Sequence, residues 1–207
     1  MSLVFGNLCA DWTLVFDELI PRWVKSAYLP NPRLKDRPFN DRDVAFFAPS
    51  VQDLSELFTL DRKSLGERRG QSYFSQARYR SAYLLYFLPL QAVKFLYLFS
   101  QHEAPLRQAL EQARTQSGGL IQVADLGSGP GTASLAFLLW LNRQSDTALQ
   151  GIRGVRFHWV DREPKAMHDG MLLNQMIVKN LPGLTRLPNG VEIRYRTGDL
   201  NRCMAEL

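Results

Sequence analysis

Two periodicities divide this chain. Up to about residue 117 the apolar positions recur every three or four residues. Beyond it they come in short runs, each ending near an acid. In "DWTLVFDELIPRWVKSAYL", Trp12, Val15, Phe16, Leu19, Ile20, Trp23 and Val24 fall on one helical stripe. "NPRLKDRPFNDRD", Asn31 to Asp43, is polar and broken by prolines, and predicts a loop. "SVQDLSELFTL" predicts a helix opened by Ser50, with Asp53 three residues on as in a capping box. Residues 71–101 predict a pair of aromatic-rich helices broken near Pro89. "EAPLRQALEQARTQ" predicts one more helix, stopped by Gly118 and Gly119.

From Leu120 the pattern changes. "LIQVADL", "VRFHWVD" and "GVEIRYRTGDL" read as strands. "TASLAFLLWLNR" and "EPKAMHDGMLLNQMIVKN" read as helices, the second with Pro164 in its first turn. Strand and helix in alternation predict right-handed crossovers and a parallel sheet. The expected fold class is therefore α/β. A helical N-terminal region spans 1–117, and an incomplete Rossmann-like sheet of three parallel strands spans 118–207.

One run needed weighing as a membrane span: "SAYLLYFLPLQAVKFLYLFS", Ser81 to Ser100. A Lys at the centre of a span costs about 2.5–3.5 kcal/mol on insertion scales, and Lys94 lies inside this one. Gln91 and Pro89 interrupt it further, so a buried helix pair is expected and no membrane partner. Tyr83, Tyr86, Phe87, Phe95, Tyr97 and Phe99 are assigned to the core.

The 207 residues carry a formal charge of +5. The excess is local: Arg62, Lys63, Arg68, Arg69, Arg78 and Arg80 face only Glu67 between residues 62 and 80. Arg68, Arg69, Arg78 and Arg80 are candidate RNA contacts, since arginines hold phosphates and nearby tyrosines can stack on unpaired bases. Cys9 and Cys203 are the only cysteines. They make neither a zinc site nor a disulfide framework, and imply a reducing compartment. No metal ligand set is expected.

The chemistry concentrates where strands meet helices. In open α/β sheets, ligands bind beyond the carboxyl ends of the strands. Asp125, Asp161 and Asp199 sit at or near those ends. Gly127, Gly129 and Gly131 follow the first, and their missing side chains let a ligand touch the main chain. Amides at the start of the next helix would favour an anion or carboxylate. The spacing is G-x-G-x-G, not the dinucleotide G-x-G-x-x-G, and no Gly-Lys-Ser/Thr follows to make a P-loop. A carboxylate at Asp161 could accept both ribose hydroxyls of a nucleoside. Asp161 and Asp199 also stand where an aspartate caps a helix or turn. His158 reads as structural, His102 and His168 as surface residues.

"VADLGSGPGTASLAF", Val123 to Phe137, resembles the first motif of class I S-adenosylmethionine-dependent methyltransferases. "WVDREPKAM" and "YRTGDL" resemble their second and third acidic strand ends. The resemblance implies S-adenosylmethionine as cofactor. Asp125, Gly127, Ser128, Gly129 and Gly131 would hold the methionine part, Asp161 the ribose, and Asp199 with Leu200 would flank the adenine; Thr132 and Arg162 are further cofactor-binding candidates. Upstream, "YFSQARYRSAYLLYFL" resembles the methyltransferase-like proteins of small-ribosomal-subunit assembly, in which an Arg-x4-Tyr element, here Arg78 and Tyr83, precedes the glycine loop. The chain departs from that family in two ways. The proline between Arg and Tyr is missing, with Arg80 near its place, and no downstream cysteine cluster is present.

That family implies ribosomal RNA or the small ribosomal subunit as partner, in the bacterial cytoplasm or the mitochondrial matrix. It also implies seven strands, so the chain is expected to be the N-terminal fragment of a longer protein. Strand four, with the catalytic residues, would follow Leu207; no catalytic residue is assigned here. The expected strand order, 3-2-1, leaves strand 1 as a bare edge, to be covered by a partner or a second copy. Two other functions stay open: a non-catalytic ribosome-assembly or RNA-binding factor with a vestigial pocket, and a methyltransferase for a small molecule or protein.

Overall fold

The computed structural model describes residues 12–31, 33, 35, 37–60 and 72–198. Arg68, Arg69, Asp199 and Leu200 lie outside them. The chain forms two compact units, Met1–Pro89 and Leu90–Leu207. The packing boundary thus falls earlier than the change in periodicity near residue 117.

In the first unit a π-helical stretch, Thr13–Leu19, runs into α1 (Ile20–Tyr28). Helix α2 spans Asp41–Leu60 and passes through Pro49. Ser50 therefore lies inside this helix and does not open it. The start is set ten residues earlier by a reciprocal cap. The side-chain oxygen of Asn40 accepts from the Arg42 amide at 3.0 Å, and Asp43 Oδ2 accepts from the Asn40 amide at 3.0 Å. Asp43 also binds both terminal nitrogens of Arg37, at 2.8 and 2.7 Å. Beside it Lys25, fully buried, donates to the carbonyls of Arg37 and Pro38, and its Nζ stands 3.9 Å from Asp43. The polar 31–40 loop is thus pinned by buried charges that have partners, the condition under which burial of charge is tolerated.

A 3-10 turn, Tyr73–Ser75, leads to α3 (Ala77–Ala82), a π stretch Tyr83–Phe87 and α4 (Leu88–Gln101). The expected break at Pro89 is absent: one helical run extends from Ala77 to Gln101. A proline ring clashes with the carbonyl four residues back and offers no N–H. The chain resolves this by widening the preceding turn, so that the Leu88 amide reaches the Tyr83 carbonyl, five residues back. The same device precedes Pro21, where the Ile20 amide reaches the Val15 carbonyl.

The Ala77–Gln101 run is long and apolar enough to cross a bilayer by length and composition. It is not the buried pair expected. Leu84, Leu88, Ala92 and Leu96 are buried, but Tyr86, Leu90, Tyr97 and Leu98 are exposed. Tyr86 and Tyr97 are therefore not core residues. Within the first unit, Leu54, Tyr79 and Ala82 form a buried cluster ringed by Phe58, Tyr73 and Phe87. Phe58 meets Tyr73 and Phe87 edge-on at 5.3 and 4.9 Å.

The second unit carries α5 (Glu103–Gln116), then β1 (Leu120–Leu126), α6 (Thr132–Asn142), α7 (Asp146–Leu149), β2 (Gly154–Asp161), α8 (Pro164–Val178), α9 (Pro182–Thr185) and β3 (Gly190–Thr197). The strands are parallel, in the order β1-β2-β3, so β1 and β3 are the edges. The chain is α/β with a three-stranded parallel sheet, as its alternating pattern predicts. Helix α6 is buried from Ser134 to Leu141, and its Phe137 packs edge-on against Phe157 of β2 at 6.1 Å.

The two faces of the sheet differ. Val155, Phe157 and Trp159 of β2 are buried, on the side that meets α6. Arg156 and His158 lie on the other side, with the buried Val160 beyond them. Arg156 and Arg194 both bind Glu192, each at 2.6 Å, and His158 Nε2 lies 3.3 Å from Gln122 Oε1. Gln122, Ala124 and Leu126 of β1 are exposed. A parallel sheet is ordinarily buried on both faces; this one has a helix-covered face and a charged one.

Candidate functional site

The register of β1 against β2 places Asp125 opposite Trp159 and Leu126 opposite Val160. The loop after β1 and the end of β2 therefore meet at one corner of the sheet. Gly127, Gly129 and Gly131 all have positive φ, 71°, 50° and 76°. Their uses differ. A Cβ on Gly127 would meet nothing within 4 Å, whereas one on Gly131 would stand 2.1 Å from the Trp159 ring. Gly127 therefore opens space at the corner. Gly131 admits the protein's own indole. The neighbouring Pro130 carbonyl is approached in turn by Gly170 of α8, where a Cβ would stand 2.1 Å away.

The loop amides have internal partners. Gly127 and Ser128 both donate to the Val160 carbonyl, at 2.8 and 3.3 Å, and Gly131 donates to the Ser128 carbonyl at 2.8 Å. The Gly129 amide donates to Asp161 Oδ2 at 2.7 Å. These four amides hold the loop, so none is aimed at an incoming anion. At the start of α6 itself, the Ser134 amide donates to Asp125 Oδ2 at 3.2 Å.

Asp161 does face the loop, as the ribose assignment requires. Its Oδ1 accepts from the Glu163 amide at 2.9 Å, which is also the helix-entry role open to it. Each oxygen takes one protein donor, and a carboxylate offers about four lone-pair directions. Capacity remains for two hydroxyls. Arg162 is exposed, with its Nε 3.6 Å from the Glu163 carboxylate.

Asp125 is held differently. Its Oδ2 accepts from the Ser134 hydroxyl at 2.6 Å and the Ser134 amide at 3.2 Å. The same hydroxyl accepts from Trp159 Nε1 at 2.8 Å. Burial raises the Asp125 pKa above the usual carboxylate value, the Ser134 bonds oppose that rise, and the charge of Asp161 adds to it. Two carboxylates thus flank the glycine loop.

Ser128 and Thr132 supply the remaining polar groups. Each residue is 6 % exposed, and neither hydroxyl has a hydrogen-bond partner. Unpaired buried polar groups are rare and costly.

Sequence reasoning missed Ser134, Trp159 and Gly170. The signal for Trp159 was its place two residues before Asp161 on one strand, which puts both on the same face. Nothing in the spacing marked Ser134 as the bridge between Asp125 and that indole.

Two of the candidate RNA contacts, Arg78 and Arg80, belong to the first unit. Arg78 binds Asp53 at 3.0 Å and the Tyr79 hydroxyl at 2.6 Å. Arg80 donates to the Phe74 and Ser75 carbonyls at 2.9 and 3.1 Å. These bonds lie within the first unit, and the Arg78 side chain remains 53 % exposed. Among the described residues no group of three or more His, Cys, Asp or Glu could hold a metal. No family model, curated protein or solved structure matches the chain.

Proposed function

We propose that the chain binds S-adenosylmethionine at the carboxyl ends of β1 and β2, as the N-terminal portion of a methyltransferase acting on or at ribosomal RNA. The observation that carries this reading is the Asp161 carboxylate turned onto the Gly127–Gly131 loop, beside the open side of Gly127. Asp161 would accept the ribose hydroxyls, and Gly127 would let the ligand lie against the main chain. The Ser128 and Thr132 hydroxyls, without partners in the fold, would gain them. Bound S-adenosylmethionine would supply an electrophilic methyl group. The chain's own part is to position the nucleoside and exclude water around it. The net charge of +5 suits a polyanionic acceptor.

Thermal melting with S-adenosylmethionine, and separately with its demethylated product, tests this. Ligand at a hundred times its dissociation constant stabilises by about 2.7 kcal/mol. Asp161→Ala is expected to abolish most of the shift. An unshifted melting point at millimolar ligand would remove the reading.

One observation favours a second reading, a non-catalytic RNA-binding assembly factor. The loop is closed by its own bonds from Gly127, Ser128, Gly129 and Gly131, and so stands without a ligand. Binding to ribosomal RNA that weakens steeply with salt, with no response to S-adenosylmethionine, would select it.

A further inference from the structure

Three side chains behind the glycine loop form one relay of hydrogen bonds. The indole nitrogen of Trp159 can only donate, and it donates to Ser134 Oγ at 2.8 Å. That hydroxyl directs its own proton to Asp125 Oδ2, at 2.6 Å. The Ser134 amide donates to the same oxygen at 3.2 Å. Every donor in the relay thus points toward the carboxylate, an order that suits its charged form. Ser134 and Trp159 are both buried, which keeps bulk water from these bonds. The six-membered edge of the same indole fills the space beside Gly131. Among the described residues, the charge that acts on Asp125 is Asp161 of β2. Helices α4 and α5 line the groove beside Asp125 with Phe95, Leu98, Phe99 and Leu106, none of them ionisable.

We propose that Ser134 and Trp159 are positioning residues of the glycine loop: the Ser134 hydroxyl couples the charge on Asp125 to the seat of the indole, and the indole sets the loop at Gly131. The coupling belongs to the fold; its effect on a ligand rests on the reading of this loop as an S-adenosylmethionine site. With Asp125 charged, the hydroxyl is polarised and draws the indole N–H toward it. With Asp125 protonated, the hydroxyl loses its charged acceptor and its hold on the indole weakens. Gly131 has a φ of 76° and no room for a side chain, so a shift of the ring reaches the main chain of the loop directly. Asp161 holds the same loop through the Gly129 amide, at 2.7 Å. Two carboxylates therefore fix two points of one loop, Asp161 directly and Asp125 through Ser134 and Trp159.

The Trp159 indole proton, followed by NMR between about pH 3 and 7, tests the coupling without a ligand. In the wild type it is expected to move downfield as Asp125 ionises. Asp125→Asn and Ser134→Ala are each expected to abolish that movement. With S-adenosylmethionine as the probe, Ser134→Ala is expected to weaken binding about tenfold near neutral pH, the size of one lost hydrogen bond to a charged group. Burial raises the Asp125 pKa and the Ser134 hydroxyl bond opposes the rise. Loss of that hydroxyl is therefore expected to move the pH of half-maximal binding upward, which a residue that merely fills the core would not do. A wild-type indole proton indifferent to pH, or one that still titrates in Asp125→Asn or Ser134→Ala, would overturn the proposal. So would ligand binding indifferent to Ser134→Ala. A wild type that shows the indole titration yet binds no S-adenosylmethionine would remove the nucleoside reading and leave the coupling established.

Discussion

The indole of Trp159 fills the position that a side chain on Gly131 would need: the ring carbons lie 2.1 and 2.3 Å from where its Cβ would stand. Gly127, four residues earlier, has open space around it. The two glycines therefore respond differently to the same change. Gly131→Ala combines overpacking, about 1–3 kcal/mol, with left-handed backbone strain, about 1–2 kcal/mol. A loss of about 2–5 kcal/mol is expected in urea denaturation. Gly127→Ala should cost only the backbone part, about 1–2 kcal/mol, and should reduce the melting shift with S-adenosylmethionine.

Ser134→Ala removes the hydroxyl that joins Asp125 to Trp159. It leaves the indole N–H without its acceptor in a buried setting. The expected loss is about 1–3 kcal/mol, read from urea midpoints. Asp125 would keep the Ser134 amide.

Asp125 gives a pH dependence of defined sign. Its folded pKa is raised, chiefly by burial, above the ordinary 3.8. The folded state therefore holds the proton more tightly than the unfolded state. The stability this contributes is complete below 3.8 and is lost as pH rises through the higher folded value. The stability of the wild type relative to Asp125→Asn should fall over that window and level off above it. Denaturation curves of both proteins from about pH 3.5 to 7 check this. A difference that grows with pH would contradict it.

Asp43→Ala tests the buried charges of the first unit. It would strip Lys25 and Arg37 of their common carboxylate and remove the Asn40 cap partner. Breaking a buried pair costs about 3–5 kcal/mol, and thermal melting should show a loss of that order.

The sheet was legible in the sequence because each strand carries a clear local signal: a short apolar run, a terminal acid and glycines or a proline at the next turn. Its order follows from short crossovers between neighbouring parallel strands. Asp161 turned onto the loop was legible for the same reason, since the position is fixed by strand length. Other features depend on contacts distant in sequence. Asn40 and Asp43 cap α2 with help from Arg37 and Lys25, which makes a helix start out of a stretch that reads as loop. The loop amides could not be assigned from spacing, because their acceptors, Val160 and Asp161, belong to another strand. Nothing in the spacing pairs Arg78 with Asp53 or Arg80 with the Phe74 and Ser75 carbonyls.

The widened turns before Pro21 and Pro89 have a consequence for variation in this chain. Each holds one residue more than an α-helical turn, and one residue is about 100° of rotation. A single helical wheel drawn through either proline therefore assigns the downstream side chains to the wrong face. For the same reason, removal of one residue within Tyr83–Phe87 would not merely shorten the helix. It would return the turn to the α-helical count and leave the side chains just beyond it on their present faces, at the cost of the clash between the Pro89 ring and the carbonyl four residues back.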